Sequence, residues 1–337
     1  MGQTSIPQGY SPLLSIYETQ KAIGLLKRLF EDRLSGALRL HRVSAPLFVA
    51  ASSGLNDDLN GVERPVSFDI RGVNDTAVVV HSLAKWKRLA LKRYQFHPGE
   101  GLYTDMNAIR RDEDLDNLHS AYVDQWDWEK IIIEEDRNTE YLKETVRSIV
   151  GALRDTQAFL RSVFPQLTPL PLLAEEVSFV TAQELEDRWP DLSPKEREDA
   201  WVKEHLVTFL MGIGGKLKSG KPHDGRAPDY DDWSLNGDIL VWNSVLGRAF
   251  ELSSMGIRVD AAALDKQLSI AGCDNRRELP FHKLLLEGKL PLTIGGGIGQ
   301  SRLCMLLLGK AHIGEVQASV WDEQTIQACR DAGVILL

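Results

Sequence analysis

Apolar residues recur along this 337-residue chain at spacings that predict both helices and strands. Helical spacing predicts a helix over residues 17–34, which Gly36 can end, and a longer helix over about residues 139–163. Shorter apolar runs predict strands at residues 38–43 and 77–80. We therefore predict a fold in which helices and strands are mixed.

Three further strands are predicted close together, and their connections decide the type of sheet. They lie at residues 207–211, 238–242 and 250–259, and Gly247 falls between the last two. The last two strands are too close in sequence for a crossover helix, so they must pair antiparallel. A nucleotide site here would lie on an antiparallel sheet, which argues against a parallel dinucleotide-binding fold.

The domain organisation is predicted to be simple. Residues 1–15 are interpreted as a loose N-terminal arm and residues 16–337 as a single domain. A proline-rich connector at residues 165–171 is interpreted as a surface loop and not as a domain boundary.

Composition and charge narrow the class of protein. Hydrophobic residues make up 43% of the chain, which is ample for a core. The formal net charge of −9 argues against bulk attraction to nucleic acid or to an anionic membrane, but it allows a local basic pocket. No run approaches the roughly 18 apolar residues that a membrane span needs. The three cysteines show no disulfide or zinc spacing, so we expect a cytoplasmic protein.

A glycine run near the C-terminus is the strongest single sign of a ligand site. Residues 293–302 read TIGGGIGQSR, so that four glycines fall within five residues. A flat or charged ligand can lie against backbone that carries no side chains. Arg302, predicted on the first turn of a helix, suits a phosphate or the face of a purine. The alternative is a tight turn that leads into a buried helix, with Arg302 solvated.

Two other patterns resemble nucleotide-binding motifs, but each lacks a residue that its motif requires. Residues 215–222 nearly match a Walker A sequence, but Pro222 stands where the magnesium-binding Ser or Thr is needed. We interpret this segment as a lysine-bearing surface loop. Residues 297–302 have Arg302 in place of the third glycine of the dinucleotide fingerprint.

The strand at residues 250–259 carries an unusual number of polar side chains. Alternation puts Glu251, Ser253 and Met255 on one face, with Ser254 and Arg258 on the other, unless Gly256 introduces a bulge. This density of polar groups indicates a lined pocket, and the alternative is an edge strand with one solvated face.

Other acidic and aromatic positions leave two interpretations open. Asp238 could join Glu251 in holding Mg²⁺ against phosphates, or it could be a turn residue. The aspartates of residues 226–233 could bind a cation or an amine, or form a solvated loop. Residues 119–128 put aromatic and acidic side chains together as a ligand wall or as the edge of the core. Arg110 could act in a site or form surface ion pairs.

Eight segments of the sequence match those of one known enzyme family. The segments are HSLAKWKR (81–88), GEGLYT (99–104), YVDQWDWE (122–129), GIGGKL (212–217), RAPDYDDW (226–233), NGDILVWN (236–243), ELSSMGIRVD (251–260) and the glycine run that ends in Arg302. They cover roughly residues 17–321, and in them the chain closely resembles ammonia-dependent asparagine synthetase, also called aspartate–ammonia ligase.

The resemblance implies a fold and a reaction. The fold is expected to be α+β, with a largely antiparallel sheet flanked by helices, similar to the catalytic domain of class II aminoacyl-tRNA synthetases. Residues 16–337 would then form a single catalytic domain. L-Aspartate, ATP and ammonia would give L-asparagine, AMP and pyrophosphate through an aspartyl β-adenylate, with Mg²⁺ as cofactor. The family further implies a cytoplasmic homodimer with no nucleic-acid or membrane partner.

The resemblance also implies roles at the nucleotide end of the site. Arg110 would hold the α-phosphate, and Arg302 would cover adenine and reach the terminal phosphates. Asp238 and Glu251 would hold magnesium. The remaining nucleotide-binding residues implied are Arg226, Gly295, Gly296, Gly297 and Gly299.

Further residues are implied for aspartate and ammonia. Lys87 and Arg258 are the candidates for the aspartate α-carboxylate. The amino end would be bound by Gln125, Asp127, and Ser253 or Ser254. Asp57, chosen over the adjacent Asp58, and Asp231 remain for the incoming nitrogen. Which of these two removes the proton from ammonium stays open.

The sequence also indicates the nitrogen source. Glutamine-using synthetases of the N-terminal-nucleophile type carry a cysteine directly after the initiator methionine, where this chain has Gly2. Free ammonia is therefore favoured. An aspartyl- or asparaginyl-tRNA ligase paralogue that shares the adenylate site is the main alternative, and a non-catalytic nucleotide or amino-acid sensor is a second.

Overall fold

A computed structural model describes residues 4–57 and 63–337 of the chain. Within these residues the α-helices are α1 (Ile16–Leu38), α2 (Ala84–Arg93), α3 (Thr139–Val163), α4 (Ala182–Arg188), α5 (Pro194–His205), α6 (Ala261–Ile270), α7 (Pro280–Leu286), α8 (Gln300–Leu307) and α9 (Glu323–Asp331). The strands are β1 (Leu40–Arg42), β2 (Phe48–Ala50), β3 (Ser67–Asp69), β4 (Thr76–Val79), β5 (Gly101–Ile109), β6 (Tyr122–Ile131), β7 (Ser178–Thr181), β8 (Val207–Met211), β9 (Asp231–Asn243), β10 (Arg248–Arg258) and β11 (Thr293–Gly299).

The main sheet has eight strands in the order β1-β5-β6-β11-β10-β9-β8-β7. Every neighbouring pair is antiparallel except the two edge pairs, β1 with β5 and β7 with β8. A second, three-stranded sheet has the order β2-β4-β3. The prediction of a largely antiparallel sheet with flanking helices is confirmed.

One face of the main sheet is apolar and packs against α1 and α3. Alternate residues of β6, β10 and β11 supply it, including Trp126, Trp128, Met255 and Ile298, all of them fully buried. The apolar stripes of α1 and α3 cover these side chains, because each helix presents one buried face to the sheet. Over β6, β11 and β10 the opposite face is therefore left mainly to the polar residues that alternate with them. Over β7 and β8 that face is apolar and packs against α4 and α5.

Local irregularity in β10 corrects the predicted alternation. The pairing of β10 with β9 shifts between Glu251 and Ser253, as a β-bulge does. Ser253 consequently lies beside Ile239 and Ile298, which belong to the apolar core. Ser254 lies beside Asp238 on the polar face, with Glu251. The expectation that Glu251 and Ser253 share a face is wrong, because this shift lies between them. A second shift falls between Gly256 and Arg258, where the sequence allowed a bulge.

Helix boundaries depend on capping more than on composition. The predicted bounds of α3 match, and the Asn138 side chain accepts a hydrogen bond from the N–H of Tyr141 at its start. Gly36 does not end α1, which continues to Leu38 and is closed by Arg39 in a left-handed conformation with φ of 59°. The strand predicted at residues 38–43 is therefore reduced to Leu40–Arg42.

Residues 4–15 contain no helix or strand, but they contact the rest of the protein. The Tyr10 hydroxyl donates to the Glu315 carboxylate at 2.9 Å, and the hydroxyls of Thr4 and Thr325 lie 2.9 Å apart. The division into an arm of residues 1–15 and one domain of residues 16–337 stays a prediction. None of the helices in the described ranges is long and apolar enough to cross a membrane.

Candidate active site

A cavity of about 400 Å³ opens over the centre of the main sheet, on the face opposite α1 and α3. Its floor is formed by β6, β11, β10 and β9, and its walls include the start of α2 and the loop between β5 and β6. All the predicted site residues line this cavity except Ser253 and Gly295. Asp58, the alternative to Asp57, lies outside the described residues.

A buried ion pair between Glu129 and Arg258 lies at one end of this cavity. Arg258 donates through Nε and Nη2 to the Glu129 carboxylate at 2.8–3.1 Å, and the Thr293 hydroxyl donates to it at 2.7 Å. Burial alone raises the pKa of Glu129, but Arg258 and Lys87 outweigh it and hold the pKa below its ordinary value. Glu129 is therefore a buried anion that stays charged.

Lys87 connects this pair to Asp127. Its Nζ donates to the Asp127 carboxylate, to the carbonyl oxygen of Trp128 at 2.8 Å and to that of Gly296 at 3.3 Å, and it lies 3.6 Å from Glu129. An ammonium group has three N–H donors, so these three acceptors account for all of them. Asp127 also accepts the N–H of Leu83 at the start of α2, at 3.2 Å.

Three residues adjacent to this network present oxygen atoms to the cavity. Asp231 accepts a hydrogen bond from Arg258, and its other oxygen lies 4.0 Å from Arg226 Nε. Asp57 accepts the hydroxyl of Ser82 at 3.0 Å. Burial raises the pKa of the Tyr230 hydroxyl, and the charges of Asp57 and Asp231 raise it further. Both carboxylates are therefore near a phenol that stays neutral.

Arg226, Ser254 and Asp238 form a second polar group on the cavity floor. Arg226 donates to Ser254 Oγ at 2.7 Å and to Asp238 Oδ1 at 2.6 Å, and the Ser254 hydroxyl donates to the same Asp238 oxygen. The pKa of Asp238 is raised to about 6, because burial and the nearby charge of Glu251 outweigh Arg226.

Glu251 and Arg302 lie farther from the buried network and contact each other only loosely. Arg302 Nη1 donates to the Glu251 carbonyl oxygen at 3.1 Å and lies 3.6 Å from its carboxylate. The Glu251 side chain is 35% exposed. Burial raises the pKa of Glu251, but Arg302, Lys195 and Arg226 together bring it below its ordinary value. Arg302 lies on the first turn of α8, as predicted.

Arg110 reaches the cavity from the loop between β5 and β6. Its side chain is 25% exposed, its Nη1 lies 3.8 Å from Glu113, and its buried Nε finds no acceptor within the described ranges. Much of the hydrogen-bonding capacity of this guanidinium is therefore uncommitted, which suits a group that binds phosphate.

The glycine run forms strand β11 and makes room for side chains of its neighbours. A Cβ at Gly295 would lie 2.6 Å from Arg258 Nη2 and would also collide with Glu129, so this glycine accommodates the buried ion pair. A Cβ at Gly297 would meet the Gln125 amide, and one at Gly299 would lie 3.1 Å from the Arg302 Cβ. Gly296 faces the core instead, 2.6 Å from Met255 by the same measure.

Some residues at the cavity were missed by sequence reasoning. Glu129, Tyr230 and His119 were not assigned roles, although Glu129 and Tyr230 lie within matching segments. His119 begins the segment 119–128, which was interpreted as a ligand wall or as the edge of the core. Glu129 continues the alternation of Gln125 and Asp127 along β6, so spacing could have found it. Tyr230 and His119, which line the cavity, lie in loops where no periodicity applies. His119 Nδ1 lies 2.9 Å from Asp116.

The acidic loop of residues 226–233 and the lysine-bearing loop of residues 215–222 differ in how they contact the rest of the protein. Asp229 in the acidic loop is fully buried and contacts Lys85 at 3.4 Å, Arg276 at 2.8 Å and His282 at 3.0 Å, so this loop is not simply solvated. The Walker-like segment is a turn with a bridge between Lys216 and Pro222 and lies away from the cavity, as expected of a surface loop.

The carboxylates available for a metal are few. In the part of the chain that the structure describes, no cluster of three or more Asp, Glu, His or Cys side chains surrounds a metal position. Asp238 and Glu251 are close enough for the charge of Glu251 to raise the pKa of Asp238. Mg²⁺ bound with phosphates needs only one or two carboxylates. The pair therefore fits a magnesium–nucleotide complex but not an all-protein metal cage.

Solved structures define the class of fold. Asparaginyl-tRNA synthetase from Entamoeba histolytica matches with a TM-score of 0.64 at 15% identity, over 90% of this chain and 67% of that one. Asparaginyl-tRNA synthetase from Pyrococcus horikoshii, complexed with asparaginyl-adenylate, matches with a TM-score of 0.59 at 17% identity, over 93% of this chain and 73% of that one. The fold is that of class II aminoacyl-tRNA synthetases, as predicted.

Sequence comparison then gives the family. The family model described as aspartate-ammonia ligase matches residues 17–333. An aspartate–ammonia ligase from Clostridium perfringens is 63% identical over 338 residues and 100% of both chains. One from Lactobacillus johnsonii is 61% identical over 334 residues, 98% of this chain and 99% of the relative. The chain belongs to the aspartate–ammonia ligase family, which confirms the resemblance found in its sequence.

Proposed function

We propose that this chain is a ligase that makes L-asparagine from L-aspartate and ammonia, with cleavage of ATP to AMP and pyrophosphate. Membership of the family supports the reaction. The observation that carries the proposal is that one cavity joins Arg110, Arg302 and Glu251 to the buried group of Arg258, Lys87 and Asp127. Phosphate-binding cations and an amino-acid-binding polar group thus share one space.

The chemistry requires that the carboxylate first be activated. A β-carboxylate oxygen of aspartate attacks the α-phosphorus of ATP, and the bond from that phosphorus to the pyrophosphate oxygen breaks. Ammonia then attacks the carbonyl carbon of the aspartyl β-adenylate, and AMP leaves with the oxygen that came from aspartate. Negative charge concentrates on phosphate oxygens in the first transition state, so positioned cations are expected to contribute most to catalysis.

The nucleotide end of the cavity supplies these cations. Arg110, with its uncommitted donors, would hold the α-phosphate, and Arg302 would cover adenine and reach the terminal phosphates. Arg226 orients Ser254 and Asp238 beneath them. Asp238 and Glu251 would hold Mg²⁺, which neutralises the pyrophosphate leaving group when bound.

The buried end of the cavity would bind aspartate. Arg258 uses three of its five N–H groups on Glu129 and Asp231, so two remain for the α-carboxylate. Lys87 adds positive charge but would have to exchange one of its present acceptors to contact the substrate directly. The amino group would be bound by Asp127, Gln125 and Ser254. The bulge in β10 favours Ser254 over Ser253 for this role, because Ser253 faces the core.

Asp57 and Asp231, both near Tyr230, would receive ammonium. Ammonium must lose a proton before its nitrogen can attack, and a carboxylate can both attract the cation and accept that proton. Asp57→Asn and Asp231→Asn are expected to slow aminolysis of the adenylate. If both leave aminolysis unchanged and lower only the affinity for ATP, this assignment is wrong.

Oligomeric state and location are proposed on the family resemblance alone. We propose a cytoplasmic homodimer that binds neither nucleic acid nor membrane. Light scattering after gel filtration would measure a mass of twice the 37.7 kDa chain, and a monomer at micromolar concentration would contradict the dimer.

One assay with two arms tests the reaction. The purified chain is incubated with ATP, Mg²⁺, aspartate and ammonium, and asparagine, AMP and pyrophosphate are quantified. We expect all three in equal amounts, and none of them when ammonium and aspartate are both omitted. In the second arm, aminoacylation of tRNA with aspartate or asparagine is measured. Aminoacyl-tRNA without free asparagine would instead support the tRNA ligase alternative, and ATP binding without turnover would support a sensor.

A further inference from the structure

The loop that carries Arg110 is held by backbone contacts and by side chains at two points. The first is Asp112, whose carboxylate accepts hydrogen bonds from the N–H and the guanidinium of Arg64. The Arg110 N–H donates to the carbonyl oxygen of Ala121 at 2.8 Å, and its own carbonyl accepts the N–H of Glu113 at 3.2 Å. Among residues 4–57 and 63–337, the guanidinium has only the 3.8 Å contact with Glu113 to orient it. The position of this cation therefore depends on whatever fixes the loop backbone.

Asn117, at the turn of this loop, is the second of these points and connects the loop to the amino-terminal segment. Its Oδ1 accepts the N–H of Ser5 at 2.9 Å, and its Nδ2 donates to the carbonyl oxygens of Ser5 at 2.9 Å and of Ala311 at 2.7 Å. Its own carbonyl accepts the N–H of Ile313 at 2.8 Å. The side chain thus pairs with Ser5 on both sides, as a neighbouring β-strand would.

The amino-terminal segment that Asn117 contacts is itself anchored. Thr4 bonds Thr325 at 2.9 Å, and the Tyr10 hydroxyl donates to Glu315 at 2.9 Å, on either side of Ser5. Glu315 accepts the N–H of Ala311 at 2.9 Å, so the same short region receives Asn117 and Tyr10. Segment 4–10 therefore clamps the tip of the Arg110 loop against residues 309–317.

We propose that Asn117 is a positioning residue for Arg110, and that segment 4–10 is a structural part of the nucleotide end of the cavity. The inference rests on the proposed function only in naming ATP as the ligand. Without the amide, the carbonyls of Ser5 and Ala311 lose their donor and the loop gains freedom, so Arg110 is held less closely to the phosphate position. The aspartate end lies on β6, β10 and β11 and is not touched by these bonds.

Three variants separate positioning from general damage. Asn117→Ala removes all three side-chain bonds. Ser5→Pro removes the N–H that Asn117 accepts and also fixes the φ angle of residue 5. Ser5→Ala is the matched control, because the bonds of Ser5 to Asn117 use its backbone alone. For Asn117→Ala and Ser5→Pro we expect KM for ATP to rise by about 10-fold, with KM for aspartate within about 2-fold of the parent. The double variant should rise less than the product of the single effects, because both remove the same connection.

Direct binding keeps this inference separate from the proposed reaction. Calorimetric titration with ATP and Mg²⁺ measures nucleotide affinity whether or not asparagine forms. An inactive parent chain would therefore contradict the proposed reaction but not the role proposed for Asn117. Should Asn117→Ala fail to fold, Ser5→Pro still decides. Unchanged ATP affinity in Ser5→Pro, equal effects of Ser5→Pro and Ser5→Ala, or equal losses of ATP and aspartate affinity would each overturn the proposal.

Discussion

At the buried end of the cavity, the proposed aspartate end, four charged side chains are paired with one another, whereas at the proposed nucleotide end Arg110 and Arg302 have few partners among the described residues. Glu129, Arg258, Lys87 and Asp127 are all at most 5% exposed and connected by short hydrogen bonds. Arg302 and Arg110 are 20% and 25% exposed and make long or single contacts. The two ends thus hold charge in different ways within one cavity.

The residues at the buried end stabilise the fold, whereas those at the nucleotide end keep hydrogen-bond donors available to a ligand. Buried charges are tolerated only when paired, so the aspartate end must be complete before any substrate arrives. A cation that is to bind phosphate must keep donors available, so the nucleotide end contributes less to folding. Substitutions at the aspartate end should therefore mainly lower the free energy of unfolding. Substitutions at the nucleotide end should mainly lower kcat/KM.

The largest expected effect is at the buried pair. Glu129→Gln should destabilise the protein by about 3–5 kcal/mol, because it leaves Arg258 and Lys87 buried with too little negative charge. Urea unfolding measures this. The control is Asp155→Asn in the exposed pair with Arg33 at 3.3 Å, which should cost at most about 1 kcal/mol. Equal losses in the two variants would remove the distinction between the ends.

At the nucleotide end we expect a catalytic effect of similar size with little change in stability. Arg302→Ala and Arg110→Ala should each cost about 3 kcal/mol of transition-state stabilisation, or roughly 100-fold in kcat/KM, because one cation is lost from the phosphates. The unfolding midpoint should barely move. Lys218→Ala, in the exposed Walker-like loop, is the control and should leave kcat/KM unchanged. Arginine variants that unfold at low urea concentration while keeping normal kcat/KM would show that the nucleotide end contributes to stability and not to catalysis.

A pH effect of intermediate size should appear where the ends meet, at Asp238. Its pKa is raised from 3.8 in the unfolded chain to about 6 in the folded one. Its contribution to stability is therefore fully present below pH 3.8 and is lost as the pH rises through about 6. Relative to Asp238→Asn, the parent protein should lose about 1–3 kcal/mol between pH 4 and pH 7. Urea unfolding across this range measures the difference, and a parent that gains stability relative to the variant would show that Arg226 dominates.

The smallest expected effect distinguishes two adjacent serines. Ser254→Ala removes an acceptor of Arg226 and a donor to Asp238, and should lower kcat/KM by about 5-fold, or about 1 kcal/mol. Ser253→Ala changes a buried hydroxyl that has no partner in the described structure, so it should be kinetically silent. The reverse result would place Ser253 in the cavity and contradict the bulge in β10.

The sequence predicted those features that follow from periodicity and short connections. The bounds of α3 and β8 agree with the predicted ranges, since a long apolar stripe and a strong apolar run each leave few alternatives. Antiparallel pairing of β9 and β10 followed from the short turn between them. The glycine run could be read as a ligand surface because missing side chains are visible in the sequence itself.

Features that depend on pairing between distant segments could not be predicted. The bulge in β10 arises from its register against β9 and reverses the face of Ser253, which alternation alone cannot show. The bond of Asn117 to Ser5 joins residues 112 positions apart, with no local pattern at either. Gly36 was expected to end α1, but the helix continues to a left-handed Arg39.

Transfer of one oxygen atom tests the central claim, that a single cavity first adenylates aspartate and then aminates it. Aspartate labelled with ¹⁸O in its β-carboxylate is incubated with the chain, ATP, Mg²⁺ and ammonium, and the products are analysed by mass spectrometry. We predict one ¹⁸O atom in the phosphate of AMP for each asparagine formed, and none in pyrophosphate. Label in inorganic phosphate together with ADP, or AMP without label, would contradict an aspartyl adenylate.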